Sequence, residues 1–267
     1  MKKRLISAVI MIAILVPVFI MGGMVFAAVT GIIAIMAYKE MLDVIEKDSK
    51  IPNIIKLFGA ICLLLVTFVT FDFHSIEFGI SYPAIAILLL ALLIPTVFTG
   101  TKDKSYTTKT ALLLIGSILL LGITYNVFNL VMAYDKWILL FLVIITVMTD
   151  SFAYIFGSLL GRNKLVNSPS PNKSWEGTII GSILGTFVGV LYYINVVNGD
   201  VNLLKVVLIT LVLSIFGQLG DLLFSKMKRE NEIKDFSNLI PGHGGILDRL
   251  DSLSIVALMF VLLIKYL

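Results

Sequence analysis

Apolar and polar positions alternate in long blocks along this chain, and the apolar blocks have the length of a membrane-spanning helix. A transmembrane helix needs about 20 mainly apolar residues. Nine blocks fit, at roughly residues 5–21, 24–42, 54–72, 79–98, 110–132, 137–160, 177–197, 202–224 and 251–267. Because lipid offers no partners to backbone polar groups, long apolar blocks span it as helices. The pattern predicts an all-α polytopic membrane protein with about nine transmembrane helices.

The composition agrees with this prediction. Of the 267 residues, 58% are hydrophobic and only 14% are charged, with a mean hydropathy of +1.02. A soluble domain typically carries about 25% charged residues. The single cysteine, Cys62, excludes an intrachain disulfide. We interpret the first block as an uncleaved helix, because apolar sequence resumes directly after Gly22 and Gly23.

Positive charges divide the polar segments into two alternating sets. All but three of the 21 lysines and arginines fall in one set, and the exceptions are Lys136, Lys205 and Lys265. Cytoplasmic loops of membrane proteins carry the excess of lysine and arginine. The bias therefore predicts a multi-pass cell-membrane protein with a cytoplasmic N-terminus, and it assigns the polar loops 161–176 and 225–250 to the cytoplasm.

The two halves of the chain differ in where their ionisable residues lie. Up to about residue 132, the predicted helices carry none near their centres. We therefore expect residues 1–135 to form scaffold helices that contact lipid or a second copy of the chain. Residues 136–267 are expected to form a second transmembrane region, which carries the candidate functional residues and the polar loops 161–176 and 225–250.

Asp150 interrupts the sixth predicted helix, with apolar residues on both sides. An ionised aspartate at a helix centre costs roughly 2.5–3.5 kcal/mol on insertion scales, so such residues usually face a polar cavity. A protonated or paired structural aspartate is the alternative interpretation. The residue is therefore a candidate for a functional cavity.

The loop after this helix ends at Lys173 and Ser174, directly before the seventh predicted helix. Ser174 is a candidate N-cap, and a helix N-terminus beside a lysine favours an anion. A plain solvated basic loop would look similar. Within the seventh helix, Gly181, Gly185 and Gly189 recur at four-residue spacing, which predicts close helix packing.

The last polar segment lies between the eighth and ninth predicted helices and combines acidic, basic and glycine-rich elements. Asp221 and Asp248 lie at the predicted cytoplasmic ends of these helices. Carboxylates with oxygen-rich surroundings suit Mg²⁺, and a cluster of lysine and arginine beside them suits a polyphosphate. The basic and glycine residues are Lys228, Arg229, Lys234, Gly242, Gly244 and Gly245. With two histidines and one cysteine, the chain offers no zinc-ligand set, and it has no Walker A motif or nucleophile elbow.

Several motifs in this half carry a family resemblance. The main run is Ser225-x-Met227-Lys228-Arg229, then Lys234-Asp235, Ser237, Ile240, Pro241 and His243-Gly244-Gly245-Ile246-x-Asp248-Arg249-Leu250-Asp251. Upstream lie Asp150-x-x-Ala153-Tyr154-x-x-Gly157, Ser170-Pro171-x-Lys173-Ser174-x-Glu176-Gly177 and Gly220-Asp221-Leu222. Together they resemble the signature of the phosphatidate cytidylyltransferases, the CDP-diacylglycerol synthases. The first half of the chain resembles this family only in being hydrophobic.

The resemblance implies a membrane nucleotidyltransferase of phospholipid biosynthesis. Such an enzyme converts CTP and phosphatidate into CDP-diacylglycerol and pyrophosphate with Mg²⁺, and K⁺ is a candidate second cation. A homodimer surrounded by membrane lipids is also implied, with a polar funnel open to the cytoplasm, and no nucleic-acid partner is expected. Asp221 and Asp248 are the expected metal ligands and are catalytic together with Lys173 and His243. The expected substrate-binding residues are Asp150, Ser174, Lys228, Arg229, Lys234, Asp235, Gly244, Gly245, Arg249 and Asp251.

Two departures from the family pattern keep alternatives open. The family usually has an acidic residue three positions after the Gly-Asp-Leu aspartate, where this chain has Phe224. Asn172 and Ser174 stand where the family often has Lys and Thr. A cytidylyltransferase for another lipid phosphate and a degenerate relative that binds CTP or lipid without turnover are therefore alternatives. A transporter or channel would distribute charge through the bilayer, whereas the polar residues here cluster on one side.

Overall fold

A computed structural model describes residues 2–68, 82–98, 106–166, 170 and 172–267 of the chain. Over these residues, nine α-helices and no β-sheet strand are present. The helices are α1 Lys2–Met21, α2 Gly23–Ile45, α3 Asn53–Phe68, α4 Tyr82–Leu93, α5 Thr108–Tyr134, α6 Lys136–Leu160, α7 Trp175–Tyr192, α8 Leu203–Glu230 and α9 Leu247–Leu263. Short 3₁₀ or π turns extend α4, α7 and α9, at Ile94–Phe98, Tyr193–Val197 and Ile264–Tyr266.

The all-α prediction is confirmed, and each of the nine apolar blocks contains a helix. In the described part of the chain, five helices are long and apolar enough to cross a membrane, namely α2, α5, α6, α7 with its extension, and α8. The chain is therefore a membrane protein with several apolar helices. A count of nine transmembrane helices stays a prediction, and the predicted segments 69–72 and 79–81, together with Pro171, lie outside the described residues.

Polar side chains at the helix starts explain where three of the later helices begin. The carboxylate of Asp135 accepts the N–H of Trp137 at 2.8 Å and begins α6. Ser174 accepts the N–H of Gly177 at 3.1 Å, which confirms it as the N-cap of α7. Asn202 does the same for the first turn of α8. Each bond satisfies one of the N–H groups that a helix start leaves without an intrahelical partner.

The chain divides into two compact units that interleave along the sequence. The first unit comprises Met1–Ala133 and Asp235–Asp248, and the second comprises Tyr134–Lys234 and Arg249–Leu267. The segment 235–248 carries most of the glycine-rich motif described above, and it packs with the N-terminal helices. The division into a scaffold region, 1–135, and a catalytic region, 136–267, stays a prediction.

Within the second unit, α6 and α7 approach each other through glycines, as the four-residue spacing predicts. A Cβ added at Gly181 would lie 2.9 Å from the Cα of Ala153. At Gly185 it would lie equally close to the Cα of Thr149, and at Gly189 it would lie 2.8 Å from a side-chain carbon of Ile145. Real Cβ contacts are not this short, so these positions have no room for a side chain. The glycine spacing therefore serves helix packing.

The same unit also brings α8 and α9 together. A Cβ at Gly220 would lie 3.0 Å from the backbone oxygen of Asp251, so the two helices touch beside Asp221. On the other side, the hydroxyl of Ser214 in α8 lies 2.8 Å from that of Thr149 in α6. Carboxylates of α6, α8 and α9 are therefore held in one neighbourhood.

Candidate active site

The second unit brings three of the predicted acidic residues together with two lysines. Lys173, in the loop before α7, forms an ion pair with the carboxylate of Asp221 in α8. Its ammonium group also lies 3.4 Å from the backbone oxygen of Gln218, one turn earlier in α8. Both side chains of the ion pair are partly buried. The ion pair thus holds the loop against α8 at Asp221, which is expected to be catalytic.

Asp150 and Asp251 complete this group. Asp150 interacts electrostatically with Lys173 and Asp221, and Asp251 interacts with Asp221, Asp150 and Lys228. We call Asp150, Asp221 and Asp251 the acidic cluster. Lys228 is only 8% exposed, although the sequence suggested a basic cluster open to a polyphosphate. Two lysines therefore face three carboxylates and offset only part of the cost of burying these charges together.

The acidic cluster has the donor chemistry that Mg²⁺ requires. Carboxylate oxygens are its preferred protein ligands, completed by water and substrate phosphate oxygens. Among the residues described, however, no three His, Cys, Asp or Glu side chains converge as they would around a bound ion. Electrostatic interaction reaches further than a coordination shell, and Lys173 is the cation that neutralises Asp221 here. The oxygen donors fit a divalent ion, whereas its ligand set stays a prediction.

The loop before α7 is closed by the first turn of that helix. The carboxylate of Glu176 accepts the backbone N–H groups of Arg162 at 3.1 Å and Asn163 at 3.2 Å. It also accepts the side-chain amide of Asn163 at 2.8 Å. With Ser174 capping the helix, both ends of the loop are fixed, and Lys173 is presented from a defined backbone.

In the first unit, Asp248 organises the segment 235–248, which we call the signature loop. One oxygen of its carboxylate accepts the N–H of Phe236 at 2.8 Å and that of Gly245 at 2.9 Å. Asp248 is 7% exposed. The side chain expected to hold metal therefore also joins the two ends of its own loop.

The glycines of the signature loop form a tight turn. Gly242 and Gly244 have φ values of 78° and 86°, in the left-handed region that glycine adopts without a steric cost. The N–H of Gly244 donates to the oxygen of Ile240 at 3.1 Å, and that of Gly245 donates to Asp248. The sequence suggested that these glycines contact phosphate. In the structure, the N–H groups of Gly244 and Gly245 form hydrogen bonds within the loop instead.

His243 lies at the tip of this turn and meets the first helix. Its Nδ1 lies 2.7 Å from the hydroxyl oxygen of Ser7, and that hydroxyl donates to the backbone oxygen of Pro241 at 3.0 Å. A serine hydroxyl carries one proton, so when it donates to Pro241 it can accept a proton from Nδ1 of His243. Ser7 therefore contacts both the ring and the turn of a predicted catalytic histidine.

Glu40 is a site-region residue that the sequence did not single out. Its carboxylate accepts the hydroxyl of Ser237 at 2.6 Å and the N–H groups of Ile246 and Leu247 at 2.8 and 2.9 Å. In the sequence it follows Lys39 near the end of an apolar block, a position typical of the polar end of a helix. No sequence signal marks its carboxylate as buried.

The remaining predicted residues lie at the surface. Arg229, Lys234, Asp235 and Arg249 are exposed. The guanidinium of Arg229 donates to the backbone oxygen of Ile233 at 2.9 Å, which orders the start of the loop after α8. Phe224 is fully buried, so the position where the family usually has an acid belongs to the apolar core here.

These features define a membrane protein whose apolar helices hold a compact set of carboxylates and lysines suited to anionic substrates. The chain belongs to the cytidylyltransferase family, whose sequence profile matches residues 2–267. It is therefore a nucleotidyltransferase enzyme.

Named relatives align over nearly the whole chain. A phosphatidate cytidylyltransferase of Staphylococcus haemolyticus (strain JCSC1435) is 31% identical over 266 residues. The proteins of the same name from Staphylococcus saprophyticus subsp. saprophyticus and Staphylococcus aureus (strain COL) are 33% and 32% identical over 267 residues. In each case the alignment covers 99% of this chain and 100% of the relative.

Proposed function

We propose that this protein is a phosphatidate cytidylyltransferase, which transfers CMP from CTP to phosphatidate and releases pyrophosphate. The observation that carries the proposal is the end-to-end similarity to relatives of that name, which covers 99% of this chain and 100% of each of them. The acidic cluster with Lys173 and Lys228 supports it, because two anionic substrates require cationic contacts and charge neutralisation.

The reaction is a phosphoryl substitution. A phosphate oxygen of phosphatidate attacks the α-phosphorus of CTP, the bond from that phosphorus to the bridging oxygen breaks, and pyrophosphate leaves with the electron pair. No covalent enzyme intermediate is needed. Lys173 and Lys228 contribute positive charge near the reacting phosphates, and Arg229 and Lys234 act as exposed contacts for the triphosphate. A bound Mg²⁺ would neutralise charge on phosphate oxygens.

The ligands proposed for this ion are Asp221 and Asp248, as the resemblance implies. Asp221 lies in the second unit, within the acidic cluster, and Asp248 lies in the first unit, within the signature loop. Asp150 and Asp251 are proposed as neighbouring carboxylates that hold the lysines. K⁺ is proposed as a second cation.

The protein is proposed to work at the inner leaflet of the cell membrane, as a homodimer among membrane lipids. The lysine and arginine bias supports a cytoplasmic N-terminus and cytoplasmic loops. This orientation gives the site access to CTP, which is a cytoplasmic nucleotide, while phosphatidate arrives within the membrane.

Pyrophosphate release by the purified protein tests the proposal. In detergent with CTP labelled at the α-phosphate, phosphatidate and Mg²⁺, we expect label in a lipid product and one pyrophosphate per product. Phosphatidate should be required, and EDTA should abolish turnover. A lipid product formed only with a different lipid phosphate would replace the proposed substrate and leave the family reaction intact.

One observation favours a second candidate, a relative that binds without turnover. Phe224 is buried where the family usually has an acid. Retained CTP binding without any pyrophosphate release from phosphatidate or other lipid phosphates would support this candidate and refute the enzyme. Pyrophosphate release without a lipid acceptor would instead indicate a hydrolase.

A further inference from the structure

A buried carboxylate in the N-terminal part of the chain carries an inference beyond the reaction itself. Glu40 lies in α2 and is only 3% exposed. Burial of an ionised carboxylate costs several kcal/mol unless hydrogen bonds or opposite charges offset it. The hydrogen-bond partners of Glu40 therefore identify the segment that its carboxylate stabilises.

The partners of Glu40 come from both ends of the signature loop. One oxygen accepts the hydroxyl of Ser237 at 2.6 Å and the N–H of Ile246 at 2.8 Å. The other accepts the N–H of Leu247, the first residue of α9, at 2.9 Å. N–H groups at a helix start lack intrahelical partners and favour a negative charge. A side chain 207 residues away in sequence thus caps this helix.

Glu40 and Asp248 act on adjacent groups of the loop. Asp248 joins the N–H of Phe236 to that of Gly245, while Glu40 joins the next residue at each end, Ser237 and Ile246. Two carboxylates therefore close the loop side by side, and the turn with His243 lies between the closed ends. Loss of Glu40 would leave Asp248 to hold the loop without the support of α2.

The fit around Gly245 shows how close this contact is. A Cβ at Gly245 would lie 2.6 Å from the carboxyl carbon of Glu40, well inside normal contact distance. Gly245 has no φ in the left-handed region, unlike Gly244. A side chain at this position would therefore displace the carboxylate of Glu40, which packs directly on the backbone.

We propose that Glu40 is a positioning residue for the cytidylyl transfer: its carboxylate holds the signature loop closed, so that Asp248 and His243 keep the arrangement in which they act. The proposal rests on the proposed function for the roles of Asp248 and His243. The hydrogen bonds given for the Glu40 carboxylate all go to this loop, so its effect on the reaction would pass through the loop. The N-terminal helices would then contribute directly to the geometry of the reaction.

Glu40→Gln tests the proposal with little change in shape. The amide replaces one acceptor oxygen with a donor that faces other donors, so at least one bond to the loop is lost. We expect kcat per folded protein to fall at least about tenfold while KM for CTP stays within about twofold. Asp43→Asn is the matched control, because Asp43 is an exposed aspartate on the same helix and its change removes the same charge.

Hydrogen exchange provides a readout that does not depend on activity. The N–H groups of Ile246 and Leu247 donate to Glu40, so peptides that contain them should exchange at least about tenfold faster in Glu40→Gln. Exchange in α3 and α5 should stay unchanged, as should all exchange in Asp43→Asn. Faster exchange throughout the first unit would overturn the proposal, since Glu40 would then be a general core residue.

A milder variant keeps the test decisive if Glu40→Gln does not fold. Ser237→Ala removes one of the three bonds to Glu40, and we expect about a threefold to tenfold loss of kcat. In the double variant, Ser237→Ala should add less to Glu40→Gln than it costs alone, because both changes weaken the same contact between α2 and the loop. If the losses of kcat in the two single variants added fully in the double variant, Glu40 and Ser237 would act independently and the proposal would be overturned.

The remaining outcomes separate this proposal from the proposed function. Unchanged exchange at Ile246 and Leu247, or faster exchange with unchanged kcat, would overturn the positioning role. No turnover with phosphatidate in the unaltered protein would refute the proposed substrate. The exchange rates would still support or overturn the bond between Glu40 and the signature loop in that case.

Discussion

Single side chains in the second unit show how charges are accommodated in an apolar protein. Lys228 is nearly inaccessible, and its charge is set against Asp251. Lys226, two residues earlier, is 65% exposed and lies 3.6 Å from Glu230 in an exposed pair. Exposed pairs of this kind contribute roughly 0–1 kcal/mol, whereas loss of one partner from a buried pair is far more costly. Neighbouring lysines on one helix therefore have different roles.

This contrast gives the first prediction. Lys228→Met keeps a flexible, unbranched side chain that is one atom shorter but removes its charge, so Asp251 and its neighbours lose a compensating cation. We expect KM for CTP or phosphatidate to rise about tenfold, because a cationic contact to an anionic substrate is lost. Steady-state kinetics with each substrate varied in turn measure this.

Lys226→Met is the matched control and should leave both KM values unchanged, since its ammonium group is exposed. If Lys228→Met also leaves both values unchanged, Lys228 lies outside the substrate pocket. Its burial would then serve the stability of α8 alone.

The second prediction concerns the two expected metal ligands. Asp221→Asn and Asp248→Asn should each lower kcat/KM at least about 100-fold, because each removes charge that acts on the transition state. Asp200→Asn, at an exposed turn, is the control. Near-normal turnover in either variant would remove that aspartate from the metal site.

The two variants should differ in stability. Asp248 accepts the N–H groups of Phe236 and Gly245, so Asp248→Asn weakens the closure of the signature loop and should also lower the thermal midpoint. Asp221→Asn removes an ion pair at a partly exposed site and should change the midpoint less. Thermal unfolding in detergent distinguishes them, and an equal loss in both would contradict this assignment.

At the scale of helices, the sequence predicts most of the architecture because apolar length and period are local properties. All nine blocks contain helices, and the Ser174 cap and the Gly181–Gly189 packing follow from motifs within a few residues. The bonds of Ser7 and Glu40 could not be predicted. They join residues about 200 positions apart, and neither residue stands out from its neighbours in composition.

The third prediction belongs to the contact between α6 and α7. Gly185→Ala places a Cβ against the backbone of Thr149, so the helices must separate locally. Overpacking of this kind costs typically about 1–3 kcal/mol. We therefore expect a lower thermal midpoint and reduced turnover, since α7 follows the loop that carries Lys173.

Gly116→Ala in α5 is the control, because nothing lies within 4 Å of its added Cβ. This change should leave stability equal or higher, since alanine favours helix over glycine by about 1 kcal/mol. An equal midpoint in both variants would show that α6 and α7 can separate without cost, against the packing described above.

At the scale of the whole molecule, the two units change how the N-terminal half is understood. The sequence treats residues 1–135 as scaffold, yet the first unit includes the signature loop and supplies Ser7 and Glu40 to it. Apolar composition hides this role, because two polar side chains among many apolar ones barely alter the pattern. Residues of the N-terminal half therefore contact the signature loop directly, and functional tests of Ser7 and Glu40 would measure what that half contributes.

Membrane orientation gives the last prediction. The 28 residues of α8 span about 42 Å at 1.5 Å per residue, enough to cross a hydrocarbon core of about 30 Å. Lys226 lies near its C-terminal end, and Asp200 lies just before its start, so their side chains should be on opposite sides. The charge bias predicts that Lys226 is cytoplasmic.

Single cysteines test this orientation, because Cys62 is the chain's one native cysteine and Cys62→Ser removes it. In that background, an impermeant maleimide added to inside-out vesicles should label Lys226→Cys, and added to intact cells it should label Asp200→Cys. Both positions are exposed, so a lack of labelling reflects the side of the membrane. The reverse pattern would place the end of α8 nearest Asp221 outside the cell, away from CTP, and the proposed reaction would lose its nucleotide.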